Sequence, residues 1–173
     1  INDKLDAGKI LLQSKYEISD SDDCESIQAN LTSLAVDHLD SAIKLILKKQ
    51  YSNSTYTGSI SYANKITKSD SKINTSMNVR QLFNKIRALH QWPCVSIELF
   101  GEKIQLIKAD VIEEEHSYPL GIVVKFNKNE MLLSAKGGFL SIKYLRFPGK
   151  KTVSNKDLYN SNTKLRNVLV QSS

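Results

Sequence analysis

The chain has 173 residues, 40% of them hydrophobic, and a formal net charge of +6. That length suits one domain, or one small domain with part of another, and the apolar share is enough to bury a core. No apolar run approaches the ~18 residues of a membrane-crossing helix. Cys24 and Cys94 are far apart and make no metal or redox spacing, and two isolated thiols fit a reducing, cytoplasmic setting better than a disulfide framework.

Charge is uneven along the chain. Residues 1–56 hold six Lys and nine acidic residues, and residues 57–173 hold 18 Lys or Arg and nine acidic residues. A basic second part suggests a polyanion-binding surface, and a merely solvated surface would give the same count. Ile1 in place of Met, with no basic and apolar leader after it, predicts that the native chain begins upstream or is processed.

In chain order, Asp3 to Gly8 reads as a turn and Lys9 to Ile18 as a strand or strand pair. Asp20, Asp22 and Asp23 suit a helix start, where carboxylates cap amides and meet the positive end of the dipole. Ile27, Leu31, Leu34, Ala35, Ala42, Leu45 and Ile46 then recur at helical spacing to about Lys49. His38 lies in that stripe without a ligand-type partner at i±4, so it reads as a packed or half-exposed histidine. One strand and one apolar-faced helix cannot make a core alone. Residues 1–50 therefore read as the tail of a larger α/β layered domain.

Residues 50–59 are a polar linker and 60–66 are expected to be extended, with Lys65, Lys68 and Lys72 following along a polar segment. Such a segment can lie on a phosphate backbone or serve as a wet connector. Val79, Leu82, Phe83, Ile86 and Leu89 define one helix face, and Pro93 ends that helix at or before His90 to Gln91. The period then drops to two through Val95, Ile97 and Leu99. Gly101-Glu102 turns this strand into 103–109, and 120–126, 130–136 and 139–147 are further strands with turns at 127–129 and 137–138. Five to six short strands at this spacing suggest a small closed barrel. Glu113 to Glu115 read as a solvated loop tip. Ser154 caps a short helix through Asn160, and a tail follows. Tyr56, Tyr62 and Trp92 lie near the basic connector and could stack on a single strand, although a core role is the expectation for Trp92. No glycine-rich phosphate loop is present. The residues alone thus give a basic barrel joined to part of an α/β domain, and from it no more than a nucleic-acid-binding hypothesis.

Four stretches carry a resemblance. Leu5-Asp6-Ala7-Gly8-Lys9-Ile10-Leu11 resembles the end of the catalytic domain of the methionyl-tRNA formyltransferases, and Tyr62 to Lys68 with Lys72-Ile73-Asn74 resembles their interdomain connector. Arg87-Ala88-Leu89-His90-Gln91-Trp92-Pro93 resembles their Arg-Ala-(Leu/Phe)-(Asn/His)-Pro-Trp-Pro corner, and Pro148-Gly149-Lys150-Lys151 with Ser154 and Asp157-Leu158 resembles the end of their C-terminal barrel. Thr75 stands where Trp is usual, Gln91 where Pro is, Cys94 where Gly is and Arg146 about where Gln is.

The resemblance implies an α/β plus all-β chain, in which the tail of a Rossmann-like formyltransferase domain precedes a small OB-like β-barrel with one packed helix. It divides the chain into 1–50, a connector at 51–75 and the barrel at 76–173. It implies formyl transfer from 10-formyltetrahydrofolate to the α-amine of methionyl-initiator tRNA, with most of the folate pocket outside this chain. Asp6, which alone reads as a turn residue before Gly8, matches the catalytic carboxylate. Lys65 and Lys68 match connector lysines of an RNA-contacting segment, and Arg87, Lys150 and Lys151 are added for the barrel face. A monomer without metal is expected, inactive on its own. The alternatives are a non-catalytic RNA-binding module and a formyltransferase acting on a sugar nucleotide or other small amine.

Overall fold

The structure, a computed structural model, describes residues 10–50, 62–73, 77–99 and 101–161. It divides into two compact units, residues 1–65 and 66–173, each taken by itself.

In the first unit, Cys24–Leu47 forms α1. Asp23 caps it by accepting from the amides of Glu25 and Ser26, and the Ser26 hydroxyl accepts from the Asp23 amide. This reciprocal box satisfies donors that a helix start leaves open. Asp22, beside the cap, is buried. It accepts from the Ser19 amide at 2.8 Å, the Ser26 hydroxyl at 2.9 Å, the Ser19 hydroxyl at 3.0 Å and Tyr16 at 3.1 Å. Tyr16 in turn accepts from Asn30, and Ser14 meets His38 at 2.7 Å, so residues 14–22 fold back along the helix. The strand expected over 9–18 does not form: residues 10–18 carry no regular structure, and side chain bonds to α1 take the place of a ladder. No residue of α1 is buried, and Leu31, Val36, Leu39, Ile43 and Ile46 stay exposed.

The Asp22 network has a pH consequence. The Ser19 amide and then the Ser26 hydroxyl hold the Asp22 carboxyl down from 3.8 to about 2. A folded-state value below the unfolded one contributes stability above pH ~4, and that contribution is lost as pH falls toward 2. The protection of amides at the first turn of α1, taken relative to their intrinsic exchange rates at each pH, should therefore fall between pH 4 and 2, and Asp22→Asn should remove the step. Protection that stays flat across the window would contradict this.

The second unit is built around α2, Val79–Leu89. Asn78 caps it by accepting from the Gln81 amide, Gln81 Oε1 returns the bond to the Asn78 amide, and the Val79 amide donates to Lys136 O at 2.8 Å. Eleven residues make a marginal helix in water, and tertiary packing sustains this one. Val79, Leu82, Phe83, Ile86 and Leu89 are all buried, at roughly 1.5–3 kcal/mol for each large apolar side chain.

Around α2 runs an antiparallel sheet of β1 (Val95–Leu99), β2 (Glu102–Ile112), β3 (Val123–Phe126), β4 (Met131–Ala135), β5 (Gly138–Arg146) and β6 (Thr152–Ser154). The ladder order is β1-β2-β5-β4-β3, with β6 also on β5. β2 pairs β1 through its first half and β5 from Gln105 to Ile112, with irregularities around Lys108. Bulges of this kind bend a strand and raise its twist, so one long strand serves two neighbours in a curled sheet. Ile104, Leu106, Met131, Leu140, Ile142 and Leu145 point into the curl against α2. Closure into a barrel would need β3 to pair β1, and the ladder path ends at these two strands among the described residues. An apolar recess of about 590 Å³ lies there, lined by Ile73, Met77, Leu82, Ile97, Leu120 and Leu133 among others. α3, Asn155–Ser161, closes the described unit with Leu158 in the core and Ser154 as its cap.

Candidate nucleic-acid interface

The Trp-Pro corner after α2 sets the site. Pro93 supplies no amide hydrogen, and the chain turns there into β1. Cys94 takes a φ of +62° and its amide donates to Leu89 O at 2.9 Å. Cys94 is 1% exposed, whereas Trp92 is 52% exposed. The expectation of a core tryptophan is thus corrected: the corner aims the small residue inward and lays the indole on the surface. The positive φ at Cys94 is also the reason that glycine suits this position.

Three cations gather beside the indole. Lys68 sits on a 3-10 turn, Lys68–Ser71. Buried Ser71 donates to Lys68 O at 2.7 Å, and Lys72 bridges Ser96 of β1, so the turn is docked on the sheet. Lys85 of α2 donates to Lys72 O at 2.6 Å. Asp70 accepts from the Thr67 amide and hydroxyl, which with the nearby Lys85 charge lowers its carboxyl pKa and keeps this cap acceptor ionised. Arg146 of β5 stands opposite Gln105 of β2. Its Nε donates to Gln105 Oε1 at 2.7 Å and its Nη2 to Cys94 Sγ at 3.3 Å, which fixes the guanidinium plane. Lys103 lies two residues before Gln105, on the same face of β2. Lys68, Lys103, Arg146 and Trp92 line one groove of about 490 Å³ with no acidic residue in its wall.

Of the residues singled out from sequence, Lys68 lies in this groove. Lys65 is exposed at the end of the first unit. Lys150 and Lys151 are exposed on the turn after β5, and Lys150 Nζ stands 5.8 Å from the centre of the Phe147 ring in the groove wall. Arg87 does not line the groove. It is half-buried on α2, with its guanidinium 5.2 Å from the Phe83 ring and its Nε bonded to Asn84. Asp6 lies outside the described residues. Lys103 and Arg146 were missed as groove cations. The alternation of β2 carries a signal for Lys103, and Arg146 shows only as a departure from Gln. A second basic recess, about 400 Å³, is lined by Lys108, Lys128, Lys143 and Lys156, with Lys143 paired to Asp110 at 3.0 Å.

The family described as "Formyl transferase, C-terminal domain" matches residues 65–163, the span that holds α2, the sheet and the groove. The chain belongs to this family. A methionyl-tRNA formyltransferase of Thermodesulfovibrio yellowstonii is 32% identical over 157 residues, covering 91% of this chain and 50% of the relative. The chain spans about half the length of the curated relatives it matches. Among solved structures, the fold is shared with HypX from Aquifex aeolicus (TM-score 0.65, 16% identity, 92% of this chain and 30% of that one). It is shared also with WlaRD, a sugar 3N-formyl transferase solved with dTDP and 5-N-formyl-THF (TM-score 0.63, 22% identity, 87% and 53%). For this formyl transferase C-terminal domain, then, the basic groove is a feature of the domain itself, framed by its own α2 corner and sheet.

Proposed function

We propose that the chain is the C-terminal part of a methionyl-tRNA formyltransferase. Its second unit holds the acceptor RNA while the catalytic half moves a formyl group from 10-formyltetrahydrofolate to the α-amine of methionine on initiator tRNA. The observation that carries this is the groove of Lys68, Lys103 and Arg146 beside an exposed indole, in a domain whose curated relatives are named for that reaction. Phosphates supply most of the affinity of such contacts, and cations gathered in one groove suit them.

The chemistry needs the amine to lose a proton as it attacks the formyl carbon, while negative charge develops on the formyl oxygen. An imidazole with an amide side chain can serve both needs, and a carboxylate fixes the imidazole's tautomer. By resemblance Asp6 is that carboxylate, and the OB-like barrel is the domain on which the RNA rests. In this reading the folate pocket lies mostly in the catalytic half, as does the layer that covers the apolar side of α1, left exposed over Leu31, Val36, Leu39 and Ile43. Lys150 and Lys151 extend the basic surface of the second unit, and Lys65 and Arg87 are further candidate phosphate contacts. The enzyme works in the cytoplasm as a monomer.

The test is a formyl-transfer assay on the intact gene product, with charged initiator tRNA and small amines, sugar nucleotides included, as competing acceptors. Transfer to the charged tRNA is expected, and the 173-residue chain alone should transfer nothing. Transfer to a small amine with none to tRNA would overturn the reading.

A further inference from the structure

Trp92 is a large apolar ring left half in water at a corner that buries the two residues after it, Pro93 and Cys94. The ring borders a groove whose size, about 490 Å³, falls within the range of pockets that seat one small molecule, roughly 300–1,000 Å³. Lys68 and Lys103 line the same groove, and neither forms an ion pair among the described residues. Arg146 is held rigid from behind by Gln105 and Cys94, and guanidinium hydrogens not used in those two bonds are left for a ligand acceptor.

We propose that this groove is a subsite for one unpaired nucleotide, with its base stacked on Trp92 and its phosphate held by Lys68 and Lys103. The inference rests on the RNA-holding reading above and narrows it. A duplex would satisfy the lysines alone, since bases inside a helix have both faces covered by their neighbours. A flat, exposed indole gains only from a base that is out of the stack. Arg146 adds a third positive charge whose orientation is set before the ligand arrives, so little freedom is lost on binding.

Trp92 is the sole tryptophan of the chain, so its emission reports this subsite directly. The experiment titrates the full chain with a single-stranded RNA hexamer, and with a blunt RNA duplex of equal phosphate number. Trp92 emission and the anisotropy of an end-labelled RNA are read together. The expected result is saturable quenching by the single strand and none by the duplex. Trp92→Ala should weaken single-strand binding about tenfold or more with an unchanged salt slope, and Trp92→Phe should retain most of the affinity. Lys68→Ala with Lys103→Ala should flatten the slope by about 1.4. Single-strand binding seen by anisotropy without any change in emission would overturn the subsite and leave the RNA-holding reading intact. Equal quenching by the duplex would overturn it too. Absence of all RNA binding at low salt would overturn both.

Discussion

Gly138→Ala should cost the second unit about 2–5 kcal/mol, a large share of the roughly 5–15 kcal/mol that holds a domain together. Gly138 opens β5 at a φ of +153°, and a Cβ there would stand 2.0 Å from Ile112 O, 3.0 Å from Val79 Cγ1 and 3.1 Å from Glu113 Cα. The first contact is with backbone of β2, which cannot swing away as a side chain tip can. Ile112 pairs with Phe139, and Val79 is the buried first residue of α2. The added methyl would therefore push on strand pairing and helix seating at once. Overpacking in a filled core costs about 1–3 kcal/mol, and a left-handed backbone adds about 1–2 for a residue with a Cβ. Gly137→Ala is the control. It too has positive φ, but its Cβ would meet only Glu115 Oε1 at 4.0 Å, so about 1–2 kcal/mol is expected. Urea unfolding of the two variants separates the cases, and equal midpoints would show that the close approach of β5 to β2 is not as described.

The second large effect is on RNA. Lys65→Ala with Lys68→Ala should weaken tRNA binding and flatten the plot of log K against log salt by about 1.4–1.8 units. Each lysine that neutralises a phosphate releases counterion on binding, and its loss removes that share of the salt dependence. The loss should be similar across tRNA sequences, because phosphate contacts carry no base information. An unchanged slope would reject both lysines as phosphate contacts, whatever happened to affinity.

The helix at 79–89 and its corner were legible because local rules agree there: a reciprocal cap at Asn78 and Gln81, an apolar face at 3.6 spacing, and a proline that stops the helix. The strands at 95–99, 131–135 and 138–146 were legible too, since period-two runs stood between clear turn residues. What failed depended on partners distant in sequence. The apolar run Ile10 to Leu12 resembles a strand, but strands need a ladder, and residues 14–22 are instead bound to α1 by side chains. β6 is only Thr152–Ser154 and exists through its pairing with β5. Barrel closure turns on whether β3 meets β1, which period and spacing do not encode.

The site divides the same way. Lys68 was singled out because its stretch resembles a connector of the family. Lys103 and Arg146 come together only through the register of β2 between β1 and β5, bulges included. Trp92 misled because size argues for burial, whereas the positive φ at Cys94 turns the smaller side chain inward and leaves the ring outside. Asp6 lies outside the described residues, so its role rests on the resemblance and on the transfer assay.

The central claim is that residues 66–173 hold RNA through a basic face. Equilibrium binding of initiator methionyl-tRNA to the 173-residue chain over a salt series tests it most directly. The account gives measurable binding at low salt, with log K falling linearly as log salt rises and a slope of about −2 or steeper, for at least Lys68, Lys103 and one further cation on phosphates. No binding at low salt, or an affinity indifferent to salt, would contradict it.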